Sequence, residues 1–138
     1  MKKTHMMKLV VVLGVVALMA GCATVKPEEQ VAKQVDAFKA AMLAKDIDGL
    51  TTLFSDAFEH YEWGDKAGAK DFMSQAKEMG YMDGLTIDTA KAEKKIEGNK
   101  ASVYPIEVSG SFGSATVELI FTKEKEGWKI TGLDIQGL

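Results

Sequence analysis

The chain has 138 residues, 46% of them hydrophobic and 27% charged, enough for one packed domain and too few for two, and neither disordered nor collagen-like in composition. All seventeen basic residues are lysine, and from Cys22 onward fourteen lysines stand against twenty acidic residues, a formal charge of −6. That surplus repels nucleic acid, and the lack of arginine removes the bidentate clamp usual for phosphates and carboxylates.

The chain opens with Lys2, Lys3 and Lys8, followed by the apolar run Leu9 to Ala20, then Gly21 and the single cysteine, Cys22. Twelve apolar residues fall short of the ~20 that span a bilayer but suit the core of an export signal. With no second cysteine an internal disulfide cannot form, so a core must hold the fold. The stretch Leu18-Met19-Ala20-Gly21-Cys22 resembles the lipobox of bacterial lipoproteins, with methionine at Met19 where that family usually has leucine. The resemblance implies that Cys22 is lipidated and becomes the first residue of the mature protein. Ala23 follows it, and by the sorting rule known for enteric bacteria this implies the periplasmic face of the outer membrane, with the inner membrane as the other destination. The alternative is an ordinary signal cleaved near Ala20, which leaves a free thiol. The organisation expected is a signal at 1–21, a lipidated tether at 22–28 and one domain at 29–138.

Pro27 sits where a helix can begin, and Val31, Val35, Phe38 and Met42 recur at helical spacing to form one apolar stripe. Asp46 or Asp48 can cap a second, short helix that buries Ile47, Leu50, Leu53 and Phe54 and ends near Ser55-Asp56. The aromatic run Ala57 to Trp63 predicts a strand. Asp65 caps a third helix, Lys66 to Met79, with Ala69, Phe72, Met73, Ala76 and Met79 on one face and Gly80 as its stop. After Gly84 the period changes to two. Leu85–Ile96, Ala101–Ser109, Ala115–Lys123 and Trp128–Ile135 predict four antiparallel strands separated by hairpin-length breaks. The fold class expected is α+β, with three N-terminal helices packed on one face of a curved antiparallel sheet, and Val31, Val35, Phe38, Phe54, Phe72 and Trp128 sharing the core.

This order, together with Ala44-Lys45-Asp46-Ile47-Asp48-Gly49-Leu50, Leu53-Phe54-Ser55-Asp56-Ala57-Phe58, Trp63-Gly64-Asp65-Lys66 and Trp128-Lys129-Ile130, resembles the nuclear transport factor 2-like superfamily (SnoaL-like, cystatin-like) over about residues 28 to 136. The resemblance implies a cone-shaped pocket between helices and sheet, and a sheet face through which many members dimerise. Members include isomerases, dehydratases, cyclases, hydrolases and non-catalytic binding modules, so the fold does not choose a function. Gly110, Gly113 and Pro105 are candidates for bulges that curve the sheet; a turn and an edge proline are the other reading.

His60 is the only histidine after the signal. It lies in Phe58-Glu59-His60-Tyr61-Glu62-Trp63, and histidine ordinarily titrates near neutral pH, so it is the candidate general acid or base beside a carboxylate such as Glu62. The plainer reading, and the one favoured, is a partly exposed strand histidine. Glu107, Glu118 and Asp134 could serve as bases only if one faced inward; outward, solvated carboxylates are the favoured reading. One histidine and a lipidated cysteine do not make a transition-metal site, and neither a nucleophile elbow nor a phosphate loop occurs, so no metal and no cofactor are expected. Tyr61, Trp63, Tyr81, Tyr104 and Phe112 are candidates for lining an apolar pocket or for plain core. The four methionines after Cys22 (Met42, Met73, Met79 and Met82) read as adaptable core packing. The function expected is a lipid-anchored periplasmic domain, non-catalytic, that binds a small apolar or amphipathic ligand or a protein partner. The alternative is a cofactor-independent acid–base enzyme using His60 or an inward carboxylate; a homodimer through the sheet is a further possibility.

Overall fold

The computed structural model describes residues 25–138; the signal segment, Cys22 and the first residues of the tether lie outside the described residues. Helix α1 (Pro27–Ala44) starts on a proline whose missing N–H costs nothing there, with Glu28 and Glu29 at the positive end of the helix dipole. Its buried face is Val31, Val35 and Phe38, as the spacing predicts. The helix stops at Lys45, which takes a left-handed conformation (φ 55°) and returns its backbone N–H to the carbonyls of Ala41 and Met42. Helix α2 (Ile47–Thr52) is capped by Asp46, which accepts the Gly49 N–H at 3.0 Å, so the choice between the two aspartates falls on the first. Asp48 instead pairs with Lys70 in solvent.

Ala57 to Trp63 is not a strand. Leu53, Ser55 and Glu59 make single backbone bonds to the edge of the last strand, Ile130 N–H to Leu53 carbonyl at 2.9 Å, Ser55 N–H to Ile130 carbonyl at 2.8 Å and Glu59 N–H to Thr131 carbonyl at 3.3 Å. Beyond that the segment closes on itself, because His60 and Gly64 exchange both backbone hydrogen bonds, at 2.8 and 2.9 Å, with Gly64 at φ 76°. Aromatic content raised the strand expectation, yet aromatic preference for strands is a matter of packing surroundings. Here Phe58 is buried against Phe54 from a turn, ring centroids 4.8 Å apart.

Helix α3 (Lys66–Glu78) begins at Asp65, whose side chain accepts the Gly68 N–H at 3.0 Å. It buries Ala69 and Met73. Phe72, expected in the core, is 41% exposed.

The expected strand Leu85–Ile96 is two: β1 (Thr86–Asp88) and β2 (Glu93–Glu97), each antiparallel to β3 (Lys100–Gly110). Asp88 faces Glu107 and Glu93 faces Tyr104, so a turn at Thr89–Ala92 lies opposite Pro105, which has no N–H to offer a partner. Strands β4 (Gly113–Glu124) and β5 (Gly127–Gln136) complete the sheet, in the order β1-β3-β4-β5 with β2 also on β3. Its register shifts between Val103 and Ile106, the interval that holds Pro105, and again between Ile120 and Phe121. Such irregularities bend an antiparallel sheet. Gly110 and Gly113 face each other across the β3–β4 turn, so the glycines take the plainer reading and the proline the bulge reading.

Val31, Val35, Phe38, Phe54 and Trp128 are buried together with Leu119, Phe121 and Ile130. Trp128 also donates its indole N–H to Gln30 Oε1 at 3.1 Å, which fixes the first turns of α1 to the start of β5. Among the described residues every buried one lies at or after Val31. The opposite face of the sheet is polar. Glu107, Glu118 and Asp134 alternate with the buried positions and point away from the helices, Glu118 directly opposite Asp134 in register. None of the three is an inward base.

Candidate functional site

The inward side chains of β4 grow along the strand, from Ala115 through Val117 and Leu119 to Phe121. At the large end they meet Ile130 and Trp128 and the core is full. At the small end the space left over is a cavity of about 320 Å³, at the lower limit for small-molecule sites. Its floor is Val108, Ala115, Val117, Leu133 and Ile135 from the sheet; its roof is Phe38 and Met42 of α1 and Phe72, Met73, Ala76 and Met79 of α3. The α3 residues fall at helical spacing, one apolar face laid over the cavity. Tyr81, Met82, Leu85, Phe112 and Leu138 surround the opening, where Met79 is 61% and Tyr81 45% exposed.

Among the described residues no charged side chain lines this cavity. Apart from the indole N–H of Trp63, the polar side-chain groups that the described residues bring to it are the amide of Gln75 and the hydroxyl of Tyr81. Among the described residues no group of three His, Cys, Asp or Glu side chains could hold a metal ion.

His60 is nearby but outside. A stack of rings runs outward from the cavity wall: Phe72 on Trp63 (centroids 4.3 Å), Trp63 on His60 (4.0 Å) and His60 on Tyr61 (4.6 Å). The His60 ring is buried behind Trp63, and its Nδ1 accepts the backbone N–H groups of Glu62 (3.2 Å) and Trp63 (3.3 Å). These contacts use the imidazole to hold the turn that presents Trp63, and the ring does not line the cavity. It is therefore a buried turn residue, neither the solvent-facing strand histidine nor a pocket base.

Of the aromatic candidates, Trp63, Tyr81 and Phe112 line the cavity. Tyr61 is 81% exposed and Tyr104 stands on the far face of β3; neither reaches it. All four methionines read as core packing also line the cavity, Met73 and Met82 from buried positions and Met73 as part of the core cluster. Nothing in their spacing marks lining from core.

Gly68 makes the position of Trp63 possible. A Cβ there would collide with the Trp63 carbonyl carbon and oxygen, because the turn folds tightly onto the first turn of α3. Gly→Ala in a helix ordinarily stabilises by up to ~1 kcal/mol. Gly68→Ala is expected to do the reverse, lowering the urea midpoint and weakening the Trp63–Phe72 stack; a raised midpoint would show that the close approach is not required.

The start of α1, which the expected tether precedes in sequence, and the cavity lie at opposite ends of that helix. Gln30, near its start, binds Trp128 at the full end of the sheet, whereas Met42, near its finish, lines the cavity, and an 18-residue helix is ~27 Å long.

No protein-family model and no curated protein matches the chain. Solved structures do. A candidate ketosteroid isomerase from Shewanella frigidimarina superposes with a TM-score of 0.66 at 20% identity, over 83% of this chain and 100% of that one. A protein of unknown function with a nuclear transport factor 2-like fold from Pseudomonas putida gives 0.67 at 12% identity, over 80% and 86%. A candidate dehydratase of the nuclear transport factor 2-like family from Streptomyces avermitilis gives 0.60 at 18% identity, over 78% and 92%. At such identities the likeness concerns backbone architecture, and this chain has the nuclear transport factor 2-like, cystatin-like fold.

Proposed function

We propose that this chain is a bacterial lipoprotein, anchored through an acylated Cys22 on the periplasmic side of a membrane, whose domain binds one small apolar or amphipathic molecule in the cavity without catalysis. The observation that carries the binding reading is the composition of the cavity: an enclosed apolar surface with an open, apolar rim and no titratable acid–base pair. Acid–base catalysis needs a proton-transfer group within hydrogen-bond reach of the substrate. Among the described residues the only ionisable side chain in this cavity is a tyrosine, while His60 and the three strand carboxylates lie elsewhere. The solved relatives named for isomerase and dehydratase activity share the fold, and a fold carries such chemistry only where the residues are present.

The test is titration of residues 23–138 with N-phenyl-1-naphthylamine, an uncharged probe that fluoresces in apolar surroundings. At about 0.3 kcal/mol per heavy atom, a ligand of about 17–20 atoms binds with about −5 to −6 kcal/mol, a Kd of tens to hundreds of micromolar. Saturable one-to-one binding in or below that range is expected, and no binding up to millimolar protein would overturn the reading. The anchor has its own test. Cys22→Ser is expected to abolish labelling by a fatty-acid analogue and to move the protein out of the membrane fraction, because two or more acyl chains are needed for a stable anchor. Unchanged labelling and fractionation would refute it.

A further inference from the structure

Resting on the binding reading above, the charge, size and flexibility of the cavity narrow its occupant. We propose that the cavity takes an uncharged amphiphile with a single acyl chain, its neutral head group hydrogen-bonded at the mouth by Gln75 and Tyr81. The first argument is charge. An ionised group carried into an apolar space needs an opposite charge or several hydrogen bonds in return, and among the described residues the lining holds no cation to meet a carboxylate or phosphate. Lys45, at the end of α1 beside Met42, is already paired with Asp83 in the segment that carries Tyr81 and Met82. Neither side chain lines the cavity.

The second argument is where the polar atoms are. Gln75 is exposed and Tyr81 nearly half exposed, so both stand at the rim, while the interior is aliphatic and aromatic. An amide and a phenol together offer donors and acceptors without charge, which suits a hydroxyl, ester or amide head. The third argument is shape. About 320 Å³ is of the size of one medium-length acyl chain and too small for the two long chains of a membrane diacyl lipid; a short-chain phosphatidylcholine is excluded instead by its charged head. Four methionines among the lining side chains form an adaptable surface, which favours a flexible chain over a rigid fused-ring body.

The experiment is displacement of N-phenyl-1-naphthylamine from residues 23–138 at pH 8 by three competitors, each below its critical micelle concentration: 1-monododecanoylglycerol, dodecanoate and dihexanoylphosphatidylcholine. The monoglyceride is expected to compete at least tenfold better than the ionised dodecanoate, and the two-chain phospholipid not to compete. Gln75→Leu and Tyr81→Phe, at exposed positions that the core does not use, are each expected to weaken the monoglyceride several-fold more than the naphthylamine. Dodecanoate equal to or better than the monoglyceride, displacement by the phospholipid, or variants that leave the monoglyceride unaffected would overturn the proposal while the probe still binds. Failure of the naphthylamine itself to bind is the separate result that removes the binding reading.

Discussion

Ala115→Phe is expected to abolish binding of the naphthylamine probe, with a loss of at least about a hundredfold in affinity, while the protein keeps its fold. Ala115 is buried on the inner face of β4 at the wide end of the sheet, and its methyl group forms part of the cavity floor. A benzyl group built there enters the cavity and takes the place of ligand. In a full core an enlarged side chain costs about 1–3 kcal/mol in displaced neighbours. The space beside Ala115 is open, so the urea midpoint is expected to change by less than the equivalent of about 1 kcal/mol. Loss of binding together with loss of folding would show that this end is packed rather than hollow. Binding that survives with the fold intact would place the ligand somewhere else.

Phe121→Ala, three inward positions along the same strand, is expected to have the opposite profile. Phe121 is completely buried, opposite Ile130 in register and at the full end of the domain. Removing a phenyl ring from such a site costs about 3–5 kcal/mol, the lost transfer energy together with the cavity left behind. Small domains have only about 5–15 kcal/mol of stability in total, so equilibrium urea unfolding should show a large fall in midpoint with little change in slope. Phe72→Ala is the control of equal chemistry: at 41% exposure on the cavity rim it is expected to cost less than about 1.5 kcal/mol and to weaken the probe. Similar costs for the two substitutions would mean that the tapered packing of the sheet is wrong.

The helices were legible because their instructions are local. Pro27, Asp46 and Asp65 sit at the starts of α1, α2 and α3, and each acts on backbone groups within three residues of itself. The hairpins β3–β4 and β4–β5 were legible for the same reason, glycine-bearing breaks between period-two runs. Ala57–Trp63 was misread because the outcome depends on what lies alongside. Its aromatic side chains suit a strand, but within it only the Glu59 N–H reaches β5 before His60 and Gly64 close their own loop. The break between β1 and β2 is likewise caused by a residue elsewhere in the chain, Pro105 on β3.

The candidate site was legible in part for the same reason. Trp63, Tyr81 and Phe112 are visible as aromatics near turns, yet Tyr61 and Tyr104 are equally aromatic and lie outside the cavity. The four methionines could not be told from core in one dimension. A methionine on an apolar helix face has the same neighbours in sequence whether the sheet beneath it is filled by Phe121 or hollowed by Ala115. His60 shows the converse, since its chemistry marked it as a candidate while two backbone N–H groups and the Trp63 ring determine its use.

By itself the sequence determined the charge balance, the lipobox-like start, the helix and hairpin boundaries and the α+β class, because each depends on composition or on residues a few positions apart. The tertiary structure alone decided that the inward side chains of β4 face empty space at one end and a full core at the other, and that among the described residues no charged side chain meets that space. Register and burial set those two facts, and they join residues such as Met42, Ala115 and Leu133 that are distant in the chain and carry no mark of one another.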